Sequence, residues 1–441
     1  MAVVCSFGTA LMRADERPGL GNAVLGSAGT EAALVKTIEQ AKVAGDNEGT
    51  ARASQRLAYI YWHAGAYNKA IPLYQRTLAI IRKIAPTNAR DIAVCLNNIG
   101  LNYRALGDFE HAKQMHTEAL DALRVAAKPE LKVLADTYMA MSMLALSSYH
   151  YAEAEDWLNQ AKSIVEKVGS EDIAWVRLMD TYSRLYIEMG KPRDAEYVQR
   201  QLWPVVEKKF ATDAPERMRY LDSRGNVYFG LHRYTEAAKA WTEAIELADR
   251  LGMARSPDTI SIVSHLGELY LFMGDVKNAE SYLSLSLELV RQYVGPQSSQ
   301  AGDVSGELGL LYTRTARLDL AKEQFSSALG VLDVPNTNRP LDLALLLTYY
   351  GEFLATDGRW EDAYKVFQRS LELREALGDH PLVVSALRLC SEASRRLKRK
   401  DEARNYAARA DAIAAKLPDA NLGATVDLAT LKAPHSSSFT H

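Results

Sequence analysis

The residues of this 441-residue chain that come nearest to catalytic or metal-binding spacings fail on geometry. His111 and His116 are five apart in a helical pattern, which misses the i, i+4 spacing that points two imidazoles at one metal ion. Cys5, Cys95 and Cys390 lie far apart with no CxxC pair, so they suggest neither a disulfide framework nor a zinc site. Cys95 and Cys390 fall at or near apolar columns and read as buried structural thiols, because a nucleophilic thiolate needs an exposed, electropositive setting. Gly19-Leu20-Gly21 follows no strand pattern and reads as a loop, not a dinucleotide site; GxxxxGK[ST], HExxH and GxSxG do not occur. No catalytic, cofactor-binding or metal residue is assigned, and the chemistry that remains is recognition.

Composition narrows what could be recognised. With 52 Lys+Arg against 55 Asp+Glu, the formal charge of -3 supplies no global positive field for nucleic acid or anionic lipid. No apolar run approaches the roughly 18 residues that a membrane span requires, so no membrane insertion is expected. The first twelve residues, MAVVCSFGTALM, carry a short apolar stretch with no preceding basic residue. The expectation is a frayed end on a cytoplasmic protein; the alternative is a clipped secretion signal on an exported one.

Any recognition surface must be positioned by repeated elements. An alanine column recurs at Ala70, Ala112, Ala154, Ala195, Ala237, Ala279, Ala321, Ala363 and Ala403, mostly 42 residues apart. Twelve residues before each stands a small residue: Ala58, Gly100, Ser142, Ser183, Gly225, Gly267, Gly309, Gly351 and Ser391. Tyrosine is frequent three positions after the small residue, and Gly65, Gly107, Gly190, Gly274 and Gly358 follow where a first helix must stop. A second helix then carries the alanine and, four residues on, a bulky residue such as Tyr74, Leu158, Trp241 or Phe325. Two antiparallel helices approach closely only where both are slim at the crossing, which the two small columns provide. Pro86, Pro129, Pro215, Pro257, Pro340 and Pro381 recur before the next first helix and punctuate the units.

The order of small residue, aromatic, glycine, aromatic, alanine and bulky apolar residue, as in IGLNYRALGDFEHAKQMHTEAL at 99–120, resembles the tetratricopeptide consensus. The longer 42-residue unit is similar to the repeats of kinesin light chains, with DIAVCLNNIGLNY at 91–103 the best local match. The resemblance implies an all-α fold, a right-handed superhelical solenoid of antiparallel helix pairs. About nine repeats are expected over 51–417, with a capping helix and turn at 30–50 started by Thr30, and flexible segments at 1–29 and 418–441. The third unit departs from the pattern, with Ser142, Ala145 and Tyr149 at the small, aromatic and glycine columns, and is expected to cross at a different angle.

The resemblance also implies a peptide-binding groove lined by the first helices. Carried over by position, its residues include Arg52, Gln55 and Tyr59 with Trp62 and His63, then Asn97, Asn98, Leu101 and Arg104. Met139, Met143 and Leu146 follow, then Arg177, Arg184, Arg219 and Asn226, interleaved with Asp136, Asp180 and Asp222. Leu101, Met139, Met143 and Leu146 would form an adaptable apolar spot. Arg52, Arg104, Arg177, Arg184 and Arg219 would pair with carboxylates or phosphates around it. Asn97, and next to it Asn98, would clamp a peptide backbone. Glu268, Glu307, Glu352 and Glu392 further along would make the groove basic in its first half and acidic in its second. The expected function is a scaffold or adaptor, without enzymatic activity, for a protein or peptide with an apolar anchor and acidic flanks. A regulatory peptide sensor that changes superhelix shape on binding is the alternative, and an enzyme or accessory subunit the third reading.

Overall fold

A computed structural model describes residues 28–127, 130–167, 173–334 and 339–417. Among them α1 (Ala28–Val43) precedes nine helix pairs. The first five are α2 (Asn47–His63) with α3 (Tyr67–Ile84), α4 (Ala89–Ala105) with α5 (Phe109–Arg124), α6 (Leu131–Ser147) with α7 (Tyr151–Val165), α8 (Ile173–Glu188) with α9 (Pro192–Lys209), and α10 (Glu216–Gly230) with α11 (Tyr234–Arg250). The last four are α12 (Pro257–Met273) with α13 (Val276–Leu289), α14 (Ser299–Arg314) with α15 (Leu318–Leu332), α16 (Pro340–Thr356) with α17 (Trp360–Arg374), and α18 (Pro381–Arg396) with α19 (Lys400–Ala414). No strand occurs among the described residues. The chain divides into two compact units, the first chiefly α1 to α11 with the start of α12, the second chiefly the remainder. The expectations for Met1 to Met12, Cys5, Gly19 to Gly21, Pro129 and the C-terminal tail fall outside the described residues.

The two small columns have a steric cause more specific than mutual slimness. The alanine column is buried throughout. Each glycine of the other column lies beneath the bulky side chain sixteen residues later. A Cβ on Gly309 would stand 2.9 Å from Phe325 Cε1, and one on Gly267 would stand 2.6 Å from Leu283 Cδ2. Gly225 meets Trp241 and Gly351 meets Phe367 in the same way. The glycine is therefore a seat for a ring or a leucine on the partner helix. Ser142 and Ser391 keep the seat small and bind across it, each hydroxyl donating at 2.8 Å to a carbonyl of the alanine column, Ala154 and Ala403.

Every helix pair turns through one left-handed residue. Gly65, Gly107, Gly190, Gly274 and Gly358 fill this place in five units, while Tyr149, His232, Ala316 and Lys398 fill it in the other four with φ between 56° and 62°. The third unit thus keeps the same turn without glycine, because the helix pairing on either side imposes it. A side chain in this region costs roughly 1 kcal/mol. Ala316→Gly is expected to stabilise the protein by about 0.5–1 kcal/mol, the relief exceeding the added chain entropy, read as a higher urea midpoint.

First and second helices are buried differently. In α4, thirteen of seventeen residues are buried, against five of sixteen in α5. A first helix is enclosed by its own partner and by neighbouring first helices; a second helix shows one face to solvent. The extra residues of the long repeat extend the second helix, as in α13, which continues through a π-helical turn at Val290–Val294 to Gly295. Pro257, Pro340 and Pro381 begin their helices, where a missing N–H costs nothing. Asp46, Asn88, Asp108, Asp275 and Ser298 accept backbone N–H bonds as N-caps. Thr30 lies inside the first turn of α1, which begins at Ala28, and so does not cap it.

Candidate functional site

Burial of α4 and α6 on nearly every face decides the fate of the expected groove residues that they carry. Leu101 and Met143 are each only 2% exposed, and Met139 and Leu146 are buried with them. They pack between helices and form no apolar spot for a ligand, because the positions beside the small column on one first helix are covered by the next. Gln55 and Asn98 are buried too.

Asn97, expected to clamp a peptide, is committed inside the fold. Its Nδ2 donates to Thr137 Oγ1 at 2.7 Å and its Oδ1 lies 3.0 Å from His116 Nδ1. Thr137 passes its own proton to the Val133 carbonyl at 2.8 Å. The chain His116–Asn97–Thr137 links α5, α4 and α6. An acceptor at Oδ1 requires the proton of His116 on Nδ1, which fixes the tautomer. Burial first, and the Arg104 guanidinium second, push the His116 pKa down to about 3. Because the folded value lies below that of the unfolded chain, this neutral histidine stabilises the fold above about pH 6.5, and the stability falls as pH drops toward 3. His116→Gln is expected to flatten the acid limb of the stability profile relative to wild type, measured by urea unfolding between pH 4 and 7.

The arginines do not form a uniform basic wall. Arg177 is paired to Asp136, both mostly buried. Arg104 is buried and donates from Nη1 to Ser147 Oγ at 3.1 Å. Arg52 is exposed on α2. Arg184 and Arg219 are half-buried and act on Asp180 and Asp258. Burial raises the pKa of Asp180 against the pull of Arg219, Arg184 and the Ser223 hydroxyl. It raises that of Asp258 to about 6, again opposed by Arg219. Asn226 is half-buried and donates from Nδ2 to the Asp222 carbonyl at 3.0 Å, while Trp241 Nε1 donates to Asp222 Oδ1 at 3.0 Å.

These first helices converge on one interior within the first unit. His63 at the end of α2 feels the Arg219 guanidinium of α10; burial, then this charge, lowers its pKa to about 4. Tyr67 at the start of α3 lies in the fields of both Asp258 and Arg104, and burial chiefly raises its pKa. Tyr59 and His63 meet edge to face with ring centroids 4.3 Å apart. The interior therefore offers half-buried rings on α2 and alternating arginine and aspartate on α8, α10 and the start of α12. Tyr67 and Asp258 were not among the expected groove residues. Asp258 follows Pro257 and reads as an ordinary acidic first-turn residue, and Tyr67 lies on a second helix, so neither type nor register pointed inward.

The second unit carries the expected acidic residues in a different state. Glu352 is buried and accepts from Arg314 Nε at 3.1 Å, and Glu392 pairs with Arg395 and Arg396 of its own helix. Glu268 and Glu307 have no such partners among the described residues. With Arg177 paired to Asp136, the first helices of the first unit do not present a uniform basic wall.

Among the described residues no group of three or more His, Cys, Asp or Glu is arranged to hold a metal ion, and no helix is long and apolar enough to cross a membrane. Cys95 and Cys390 are buried free thiols, each with its pKa pushed up to about 12 by burial, the opposite of activation.

The relatives agree with this architecture. Two Arabidopsis thaliana proteins, kinesin light chain-related 1 and 2, are 24% and 20% identical over 340 and 321 residues, which is 73% and 71% of this chain but 53% and 48% of theirs. The chain thus spans about half the length of these curated relatives. A Rap protein, solved in complex with competence and sporulation factor, shares the fold with a TM-score of 0.63 at 15% identity, over 84% of this chain and 99% of that one. A tetratricopeptide repeat model matches residues 49–124, 216–283, 258–333 and 342–416, more than half of the sequence, and the chain belongs to the tetratricopeptide repeat family.

Proposed function

We propose that the protein is a non-enzymatic, protein-binding scaffold that holds a segment of a partner against the converging first helices of the first unit. The observation that carries this reading is the placement of Tyr59, His63, Arg184, Arg219 and Asn226: side chains of α2, α8 and α10 that keep part of their surface exposed, where Leu101 and Met143 are covered. Aromatic faces next to alternating charges suit a polar, extended segment whose backbone and side chains exchange hydrogen bonds with the wall. The Rap protein that shares the fold is seen in complex with competence and sporulation factor, which supports the reading by analogy of architecture. Two buried free thiols suit a reducing compartment such as the cytoplasm.

The partner reading changes accordingly. An apolar anchor on the methionines is replaced by contacts to Tyr59 and His63, and acidic flanks would meet Arg184 and the exposed Arg52. Charge reversal at Arg177 is a poor probe, because it would set two carboxylates against each other at Asp136. The double variant Tyr59→Ala/Arg184→Gln is the better one. Immobilised on a resin and exposed to extract of the source cells at a temperature where both proteins are folded, it is expected to retain severalfold less of the proteins that the wild type retains. Equal retention would overturn the reading.

A further inference from the structure

The second unit gathers carboxylates that have no hydrogen bond or ion pair among the described residues. Glu268 on α12 lies close enough to Glu307 on α14 to raise its pKa, and Asp303, one helical turn before Glu307, adds to the effect. Burial is the larger cause for all three and holds Asp303 at about 7. Neither Glu268 nor Glu307 has a hydrogen bond or ion pair among the described residues, and Glu307 Oε2 is fully enclosed with no partner. The cations nearby are engaged or lie on the same helix. Arg314 bonds Glu352 at 3.1 Å, Arg374 bonds the Ala344 carbonyl at 3.2 Å, Arg339 pairs with Asp342, and His265 sits one turn before Glu268.

A second observation points into the same place. Tyr349 on α16 is 5% exposed, its hydroxyl has no hydrogen-bond partner among the described residues, and it lies in the fields of Glu268 and Glu307, opposed by those of Arg314 and Arg374. Its ring is laid against α14 at Gly306, where a Cβ would be 4.0 Å from Tyr349 Cδ2 and 2.9 Å from Leu346 Cδ1. A buried tyrosine ring beside an enclosed, unpaired Glu307 Oε2 leaves acceptor capacity that a donor from outside the fold can fill. The carboxylates are not spaced for a metal ion. A guanidinium is planar and longer, reaches two carboxylates at once, and stacks on a tyrosine ring.

We propose that Glu268, Asp303, Glu307 and Tyr349 form a pocket for a basic side chain, arginine above all, of a partner segment. This rests on the scaffold reading and adds a charge preference in the second unit. The test uses the full chain and fluorescein-labelled hexapeptides with two arginines, two glutamines or two glutamates in a glycine-serine frame, followed by fluorescence anisotropy at low salt. The arginine peptide is expected to bind about tenfold tighter than the glutamine peptide, and that preference to vanish in Glu268→Gln/Glu307→Gln. Equal binding of the two peptides by wild type, or a preference kept by the variant, would overturn the proposal. The variant is expected to melt at or above the wild-type temperature, since neutralising facing carboxylates relieves repulsion. A lower melting temperature would assign them a structural role and overturn it equally. Partner retention through Tyr59 and Arg184 is scored separately, so either reading can fail without the other.

Discussion

Trp241→Ala is expected to destabilise the first unit by about 3–5 kcal/mol, among the largest effects available to a single substitution in this chain. The indole is 1% exposed and lies across Gly225, which has no Cβ so that the ring can sit on the backbone of α10. Its removal leaves a cavity between α10 and α11 where the ring sat on Gly225. It also removes the Nε1 donor to Asp222, 3.0 Å away, which lies beside the arginine-aspartate wall. Urea unfolding followed by circular dichroism would show the loss as a shifted midpoint. Gly225→Ala is expected to move it in the same direction by about 1–3 kcal/mol through overpacking of the same seat.

Asn97→Ala should cost about 2–4 kcal/mol, large for a substitution that removes so few atoms. The side chain bridges three helices, so its loss orphans the His116 Nδ1–H and removes a donor to Thr137 at once. Both remaining groups are fully buried, where an unsatisfied donor cannot turn to water. Chemical unfolding measures the cost. Partner retention by the variant, compared at a temperature where it stays folded, should be unchanged, because Asn97 presents nothing to the interior surface.

The sequence was most informative where backbone geometry leaves few choices. The alanine and small columns, the left-handed turn and the helix-opening prolines were legible because each answers a local steric demand that only one or two residue types meet. The turn was even more regular than its residues: Tyr149, His232, Ala316 and Lys398 adopt the glycine conformation under pressure from the helices they join. The candidate site was much less legible. Register relative to the family pattern marks which side of a first helix points inward, but not whether another helix already covers it. Leu101, Met139 and Met143 were misplaced for this reason, although α6 carries a hint, since it reads apolar or small on nearly every face from Val133 to Leu146. Asn97 was misplaced because its two partners, His116 and Thr137, are 19 and 40 residues away and share no motif with it. Pairing of Arg177 with Asp136 crosses 41 residues and was equally invisible.

The central claim, that a partner lies against the inner first helices of the first unit, is tested most directly by site-specific photo-cross-linking in the source cells. A photoreactive amino acid would replace Tyr59 on the inner surface or, in a second strain, exposed Gln114 on α5. Cross-linked partner segments from position 59 and none in common from position 114 are the expected result. The same partners captured from position 114, with none from 59, would contradict it.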